Sequence, residues 1–140
     1  MNIDSITNGI VIDHITAGRG MMIYNLLGLD ELDCSVAIIK NVLSSKMGKK
    51  DIIKIDADIP VNFDVVGYVD DNVTVNIISG GKLVEKKKLG LPENLTNVII
   101  CKNPRCITSV ENEIEHSFRL TDKENKVYRC IYCDTKAQPL

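Results

Sequence analysis

The chain is short of most features that announce an activity. Its 140 residues contain only two histidines, His14 and His116. Neither a Gly-x-Ser-x-Gly nucleophile elbow nor a Gly-rich phosphate loop is present. No apolar run approaches the ~20 residues a membrane span needs, and there is neither an internal repeat nor a low-complexity tract. The net charge is only −2, which argues against a dedicated nucleic-acid binder. The first residues, Met1-Asn2-Ile3-Asp4, lack the basic start and apolar stretch of a secretory signal. A reducing cytoplasm is therefore expected, where thiols favour metal ligation over disulfides. With 26% charged and 44% apolar residues, the composition suits one ordinary soluble domain or two small ones.

What is present is sulfur, concentrated at one end. Cys101 and Cys106 are separated by four residues, 23 residues follow, and Cys130 and Cys133 are separated by two. Two such knuckles can converge on one tetrahedral zinc, and four sulfurs leave no open position for water or substrate, so the metal is expected to be structural. A segment of about 40 residues buries too little apolar surface to fold unaided, so the metal would supply much of its stability. A pair of disulfides and ordinary buried thiols are the alternatives. Cys34 has no close partner in sequence and reads as a small buried apolar residue.

Ahead of the cysteines, short strands alternate with helical patterns. Gly9 to His14, Ser35 to Leu43 and Asp51 to Asp56 read as strands, rich in β-branched or alternating apolar residues. Met21 to Leu29 carries a helical apolar stripe with Gly28 near its end. Ser44 to Lys50 reads as a polar loop. Pro60 to Tyr68 is ambiguous: Asp58 and Pro60 suit a helix start, whereas Val65-Val66 and Gly67 weaken it. Val73 to Ser79 and Lys82 to Lys88 flank Gly80-Gly81, a hairpin signal because both turn residues tolerate positive φ. The order is βαββαβ with an extra strand, the pattern of a ferredoxin-like α/β sandwich with an antiparallel sheet. Leu89 to Asn94 reads as a linker. Asn97 to Cys101 begins a small β, zinc-ribbon-like module, in which Ser117–Thr121 and Lys126–Ile131 form a hairpin. The chain is thus expected to be α+β, with domains at 1–91 and 92–140.

Eight of the 17 basic residues are Lys46, Lys49, Lys50, Lys54, Lys82, Lys86, Lys87 and Lys88. Two ammonium groups held close repel unless an anion joins them. If the third strand lies beside the last hairpin, Lys54 and a hairpin lysine would converge on such an anion. The other reading is a solvated charged edge that discourages sheet pairing, and seven carboxylates share the stretch 46–88. Asp13-His14 ends the first strand, where the acid can accept from ribose hydroxyls and the imidazole can donate to a phosphate or base. The bland reading of that dipeptide is a structural hydrogen-bonding pair.

Several strings together resemble one family. Gly9-x-Val11-Ile12-Asp13-His14-Ile15, Met47-Gly48-x-Lys50-Asp51-x-Ile53-Lys54-Ile55, Thr74-Val75-Asn76, Leu91-Pro92-Glu93 and the cysteine spacing are similar, in this order, to the regulatory chain of aspartate carbamoyltransferase. The resemblance implies a non-catalytic subunit of pyrimidine biosynthesis. Its first domain would pair with a second regulatory chain and bind nucleoside triphosphates, with CTP and UTP inhibiting and ATP activating. Its zinc domain would dock on the catalytic chain, with no role for nucleic acid or membrane. It further implies that Asp13 accepts from ribose, that His14 approaches the phosphates, and that Lys54 and Lys86 hold ribose and triphosphate oxygens. Lys50 and Asn76 would share the same rim, and Ile3, Ser5 and Ile6 would line the base pocket. Gly81 stands where some relatives carry a larger residue that frames the base.

Two rival readings follow from the residues. One is a zinc-ribbon nucleic-acid binder with Lys102, Arg105, Arg119 and Arg129 as its basic face, against which stand Glu111, Glu113 and Glu115. The other is a stand-alone enzyme using Asp13 and His14.

Overall fold

The computed structural model describes residues 6–138. Contacts divide the chain into two units, the first reaching Gly90 and the second beginning at Leu91.

In the N-terminal unit, strands β1 (Gly9–Thr16), β2 (Val36–Ser44), β3 (Gly48–Ile55), β4 (Thr74–Ser79) and β5 (Lys82–Lys88) form one sheet in the order β2-β3-β1-β4-β5. Every pairing is antiparallel. Helices α1 (Gly20–Leu26) and α2 (Phe63–Val69) connect β1 to β2 and β3 to β4. This is the ferredoxin-like arrangement with β5 added at one edge. Alternation decides the two faces. Ile10, Ile12, Ile53, Ile55 and Val75 point one way and are buried with Ile23 and Leu29 beside α1 and with Val66 and Val69 of α2. The residues between them point the other way, to a face without helices.

Local chemistry explains where the elements differ from expectation. The loop expected at 44–50 is shorter, a turn over 45–47: β2 continues to Ser44 and β3 begins at Gly48, with Leu43 opposite Lys49 and Val42 opposite Lys50. Gly48 takes φ +77° and lets the chain reverse within a few residues. The ambiguous segment does hold a helix, but it starts later, at Phe63. There Asn62 accepts from the Asp64 N–H at 3.2 Å, the usual N-cap bond. The first helix ends at Leu26, and Gly28 at φ +65° opens a separate 3-10 turn, Leu29–Glu31.

In the C-terminal unit, β6 (Asn94–Thr96), β7 (Ser117–Asp122) and β8 (Val127–Cys130) form an antiparallel sheet in that order. Asn94 therefore ends no linker; it opens a strand. A short helix α3 (Ile107–Val110) follows Cys106. Besides cysteines, the apolar core of the described residues is small: Leu95, Ile99, Phe118 and Tyr128. No helix among the described residues is long and apolar enough to cross a membrane.

Candidate functional sites

The sheet's open face carries a line of polar side chains that register alone creates. Lys54 pairs with Val11, Val11 with Asn76, and Asn76 with Lys86. Directly paired residues point to the same face, so Lys54, Val11, Asn76 and Lys86 form one row across β3, β1, β4 and β5. Lys54 and the hairpin lysine are not neighbours, because β1 and β4 lie between their strands. Three inter-strand steps separate them, about 14 Å at roughly 4.8 Å each. The neighbouring row holds Asp13, Thr74 and Lys88. Lys87 points to the opposite face, with its ammonium 5.4 Å from the centre of the Phe63 ring.

At the end of β1 the ladder slips between Ile12 and Ile15, and His14 takes φ +58°, a left-handed conformation uncommon outside Gly, Asn, Asp and His. The bulge lets the Asp13 carboxylate accept from the His14 N–H at 2.6 Å and face the Lys50 ammonium at 3.0 Å. Burial pushes the Asp13 carboxyl up, but the Lys50 hydrogen bond and the His14 N–H outweigh it, so the group sits below the usual carboxylate range. Two buried polar atoms, His14 Nδ1 and Asn76 Oδ1, have no hydrogen-bond partner among the described residues. Such atoms are costly unless something satisfies them, and both belong to residues that the sequence had singled out.

The opposite end of β1 is framed by the segment that precedes it. Ile6 is buried and reaches so close to Gly9 that a Cβ there would meet its Cγ2 at 2.8 Å. The Gly81 N–H donates to Thr7 O at 2.8 Å, and the Gly80 N–H to Asn8 Oδ1 at 3.0 Å, which ties the hairpin tip to this segment. Ile3 and Ser5 lie outside the described residues.

One supporting residue escaped the sequence reading. Asp51 is wholly buried and accepts three backbone N–H groups: Gly18 at 3.1 Å, Gly20 at 3.0 Å and Asn41 at 3.1 Å. It ties the β1–α1 loop to the bulge of β2, immediately beside Lys50. Asp70 does the same from the other side, accepting from Thr16 at 2.6 Å and Asn72 at 3.0 Å. The signal was available, since Asp51 shares the face of Ile53 and Ile55. A carboxylate in an apolar register must find donors.

The second site is sulfur. Sγ atoms of Cys101, Cys106, Cys130 and Cys133 all lie within 4.8 Å of one another. Cys101 and Cys133 are 3.6 Å apart, and Cys106 and Cys130 3.7 Å. A tetrahedron with sulfurs about 2.3 Å from its centre has edges of about 3.8 Å, so these residues fit a four-coordinate metal. Each knuckle is shaped by backbone hydrogen bonds, Cys106 N–H to Asn103 O at 3.1 Å and Asp134 N–H to Cys130 O at 2.9 Å. Burial pushes the Cys101 thiol up to about 12 and raises Cys130 as well, while the hydrogen bond with Thr135 brings Cys133 down to about 6. Four thiolates packed this closely cannot coexist without a cation. His116, the second histidine, accepts the Cys101 N–H on Nδ1 at 3.1 Å and contributes no ligand to the four-sulfur group.

Fold and sites define a two-unit α+β protein, with a polar row on one unit and a four-sulfur cluster that fits a metal on the other. Comparison with known proteins supplies the family. A family model described as aspartate carbamoyltransferase regulatory chain, allosteric domain, matches residues 1–90, and one described as the metal binding domain of the same chain matches residues 93–139. The chain is 54% identical over 134 residues to the aspartate carbamoyltransferase regulatory chain of Clostridium botulinum, covering 96% of this chain and 92% of that one. It is 53% identical over 135 residues to that of Clostridium tetani, covering 96% and 94%. With the one from Bifidobacterium longum it shares 44% over 138 residues, 99% of each. The chain belongs to the family of aspartate carbamoyltransferase regulatory chains, and is a regulatory, non-catalytic subunit with an allosteric and a metal-binding domain.

Proposed function

We propose that residues 1–91 bind nucleoside triphosphates on the open face of the sheet and that residues 92–140 hold one structural zinc and dock on the catalytic chain. The observation that carries this reading is the row Lys54–Val11–Asn76–Lys86, with an unsatisfied polar atom on Asn76 within it and another on His14 at the end of β1. Lys86 and Lys54 hold triphosphate and ribose oxygens, Asp13 accepts from the ribose, and His14 meets the phosphates. Asn76 and Lys50 complete the rim, and the base lies toward Ile6. Lys50 is already paired with Asp13, so an incoming phosphate competes with a carboxylate for it. Zinc, bound by Cys101, Cys106, Cys130 and Cys133, supplies no chemistry beyond fixing the two knuckles. Two regulatory chains form a homodimer in the cytoplasm, CTP with UTP inhibits, and ATP activates.

A nucleotide shifts the assembly only by its differential affinity for two states. Typical coupling is about 1–3 kcal/mol. The test is to mix the chain with catalytic trimers and record aspartate saturation with each nucleotide. CTP is expected to move the curve to higher aspartate and ATP to lower, and Lys54→Ala or Lys86→Ala to abolish both shifts. A curve indifferent to every nucleotide overturns the reading.

A further inference from the structure

Both knuckles repeat a detail that the ligand set does not require. Cys106 is followed two residues on by Thr108, and Cys133 by Thr135. In each case the threonine Oγ1 lies 3.1 Å from the sulfur two residues before it. Thr108 is 4% exposed, so its hydroxyl has little access to water. The knuckles are also bridged: the Asn103 side-chain amide donates to Thr135 Oγ1 at 3.3 Å. Asn103 is itself anchored in the first knuckle, accepting the Arg105 N–H on Oδ1 at 3.0 Å and the Ser109 hydroxyl on its carbonyl at 2.7 Å. That amide fills an acceptor position on the Thr135 oxygen, which leaves the hydroxyl hydrogen free to turn toward Cys133.

The geometry points to Thr108 and Thr135 as a matched pair of hydroxyl donors that set how tightly the four-sulfur site keeps its metal. The inference rests on the zinc reading above. While the sulfurs hold their protons, the Thr108 hydroxyl donates to Cys106 but the Cys133 thiol donates to Thr135. Once the sulfur is a thiolate ligand it has nothing to donate, so the hydroxyl must be the donor. Four thiolates around a dication leave a net double negative charge in a part-buried place. A hydrogen bond to sulfur draws off some of that charge, and partners of this kind typically change metal affinity 10- to 100-fold. The two donors sit on the second sulfur of each knuckle, one per knuckle, so neither pair of ligands is left without support. Thr108 and Thr135 are positioning residues, since they touch sulfur and not the metal.

The test uses the full chain with Thr108→Val, Thr135→Val and both together, alongside Thr108→Ser and Thr135→Ser. Zinc content is measured first, then the rate of zinc loss to a chromogenic chelator, then the sulfur-to-metal charge-transfer band after cobalt substitution. Each valine variant is expected to lose zinc on the order of tenfold faster and to move the band to lower energy, with the double variant furthest. The serine variants, which keep the hydroxyl, are expected to match the parent in both. Valine variants that release zinc at the parent rate with an unmoved band overturn the inference while leaving the zinc reading intact. A parent chain that purifies without metal removes the zinc reading itself, and the inference with it.

Discussion

In the N-terminal unit, five antiparallel strands bury Ile10, Ile12, Ile53, Ile55 and Val75 against two helices, and the polar row sits on a sheet that holds itself together. In the C-terminal unit, three short strands bury little more than Leu95, Ile99, Phe118 and Tyr128 beside the cysteines. One unit has enough apolar area to define its fold and can spend its other face on ligand. The other lies in the size range where a core alone is insufficient and a metal or disulfide is usually needed. The same sequence thus uses two sources of stability, and the functional groups follow that division. Charged side chains are displayed on the self-sufficient unit, and the ligands of the metal are themselves the core of the dependent one.

The sharpest way to break this contrast is to remove the metal. Structural zinc in small domains contributes apparent free energies of about 10 kcal/mol or more at neutral pH. Cys130→Ser, or chelation, is therefore expected to abolish amide-exchange protection across residues 91–138 while the sheet of residues 9–88 keeps its own. Equal loss in both units would show that the two are not independent.

Next in size is the converse experiment, a cavity in the apolar core. Ile53 is fully buried, and Ile53→Ala is expected to cost about 2–5 kcal/mol in denaturant unfolding of the N-terminal unit, with zinc content unchanged. Asp51→Ala belongs to the same class for a different reason. It strands the N–H of Gly20, which is buried, along with those of Gly18 and Asn41, which water can reach, and a buried unpaired N–H costs about 1–3 kcal/mol. A variant of normal stability would mean that water replaces the carboxylate.

Smaller is the loss from the polar row. Lys86 is exposed, so Lys86→Ala should leave the unfolding midpoint unchanged. Hydrogen bonds to charged groups are worth about 1.5–3 kcal/mol, so nucleotide affinity by calorimetry should fall by about tenfold or more. Unchanged affinity would place the triphosphate elsewhere.

The smallest effect is a pH dependence. The Asp13 carboxyl is held below its ordinary value of 3.8, so the folded state binds its proton less readily than the unfolded chain does. Its contribution to stability is present above about pH 4 and is lost as the pH falls through the depressed value. Asp13→Asn should flatten the acid limb of the stability curve in that window, and an unaltered limb would mean that the Lys50 pair contributes nothing measurable.

Much of this was written in one dimension. β-branched or alternating residues along Gly9 to His14 and Asp51 to Asp56 mark strands because side chains alternate at a period of two, whatever the neighbours. The Gly80-Gly81 reversal follows from positive φ at both residues. The cysteine knuckles were legible for a similar reason, since ligand geometry restricts spacing and the four thiols do converge. Other features were invisible until the sheet was assembled. The reach of β2 to Ser44 and of β3 back to Gly48 depends on pairing with a neighbour, so the ends of a polar stretch that reads as a loop become a ladder around a three-residue turn. The alignment of Lys54 with Lys86 depends on register across four strands, and slipping any one of them by a residue would turn its side chain to the other face. The Asp51 brace likewise joins β3 to Gly18, Gly20 and Asn41 through space. The sequence by itself determined the kinds of element and the sulfur ligand set, because those rest on local conformational preference and coordination chemistry. Only the tertiary structure decided which charges share a row and which buried acid finds its donors, because long-range pairing sets both.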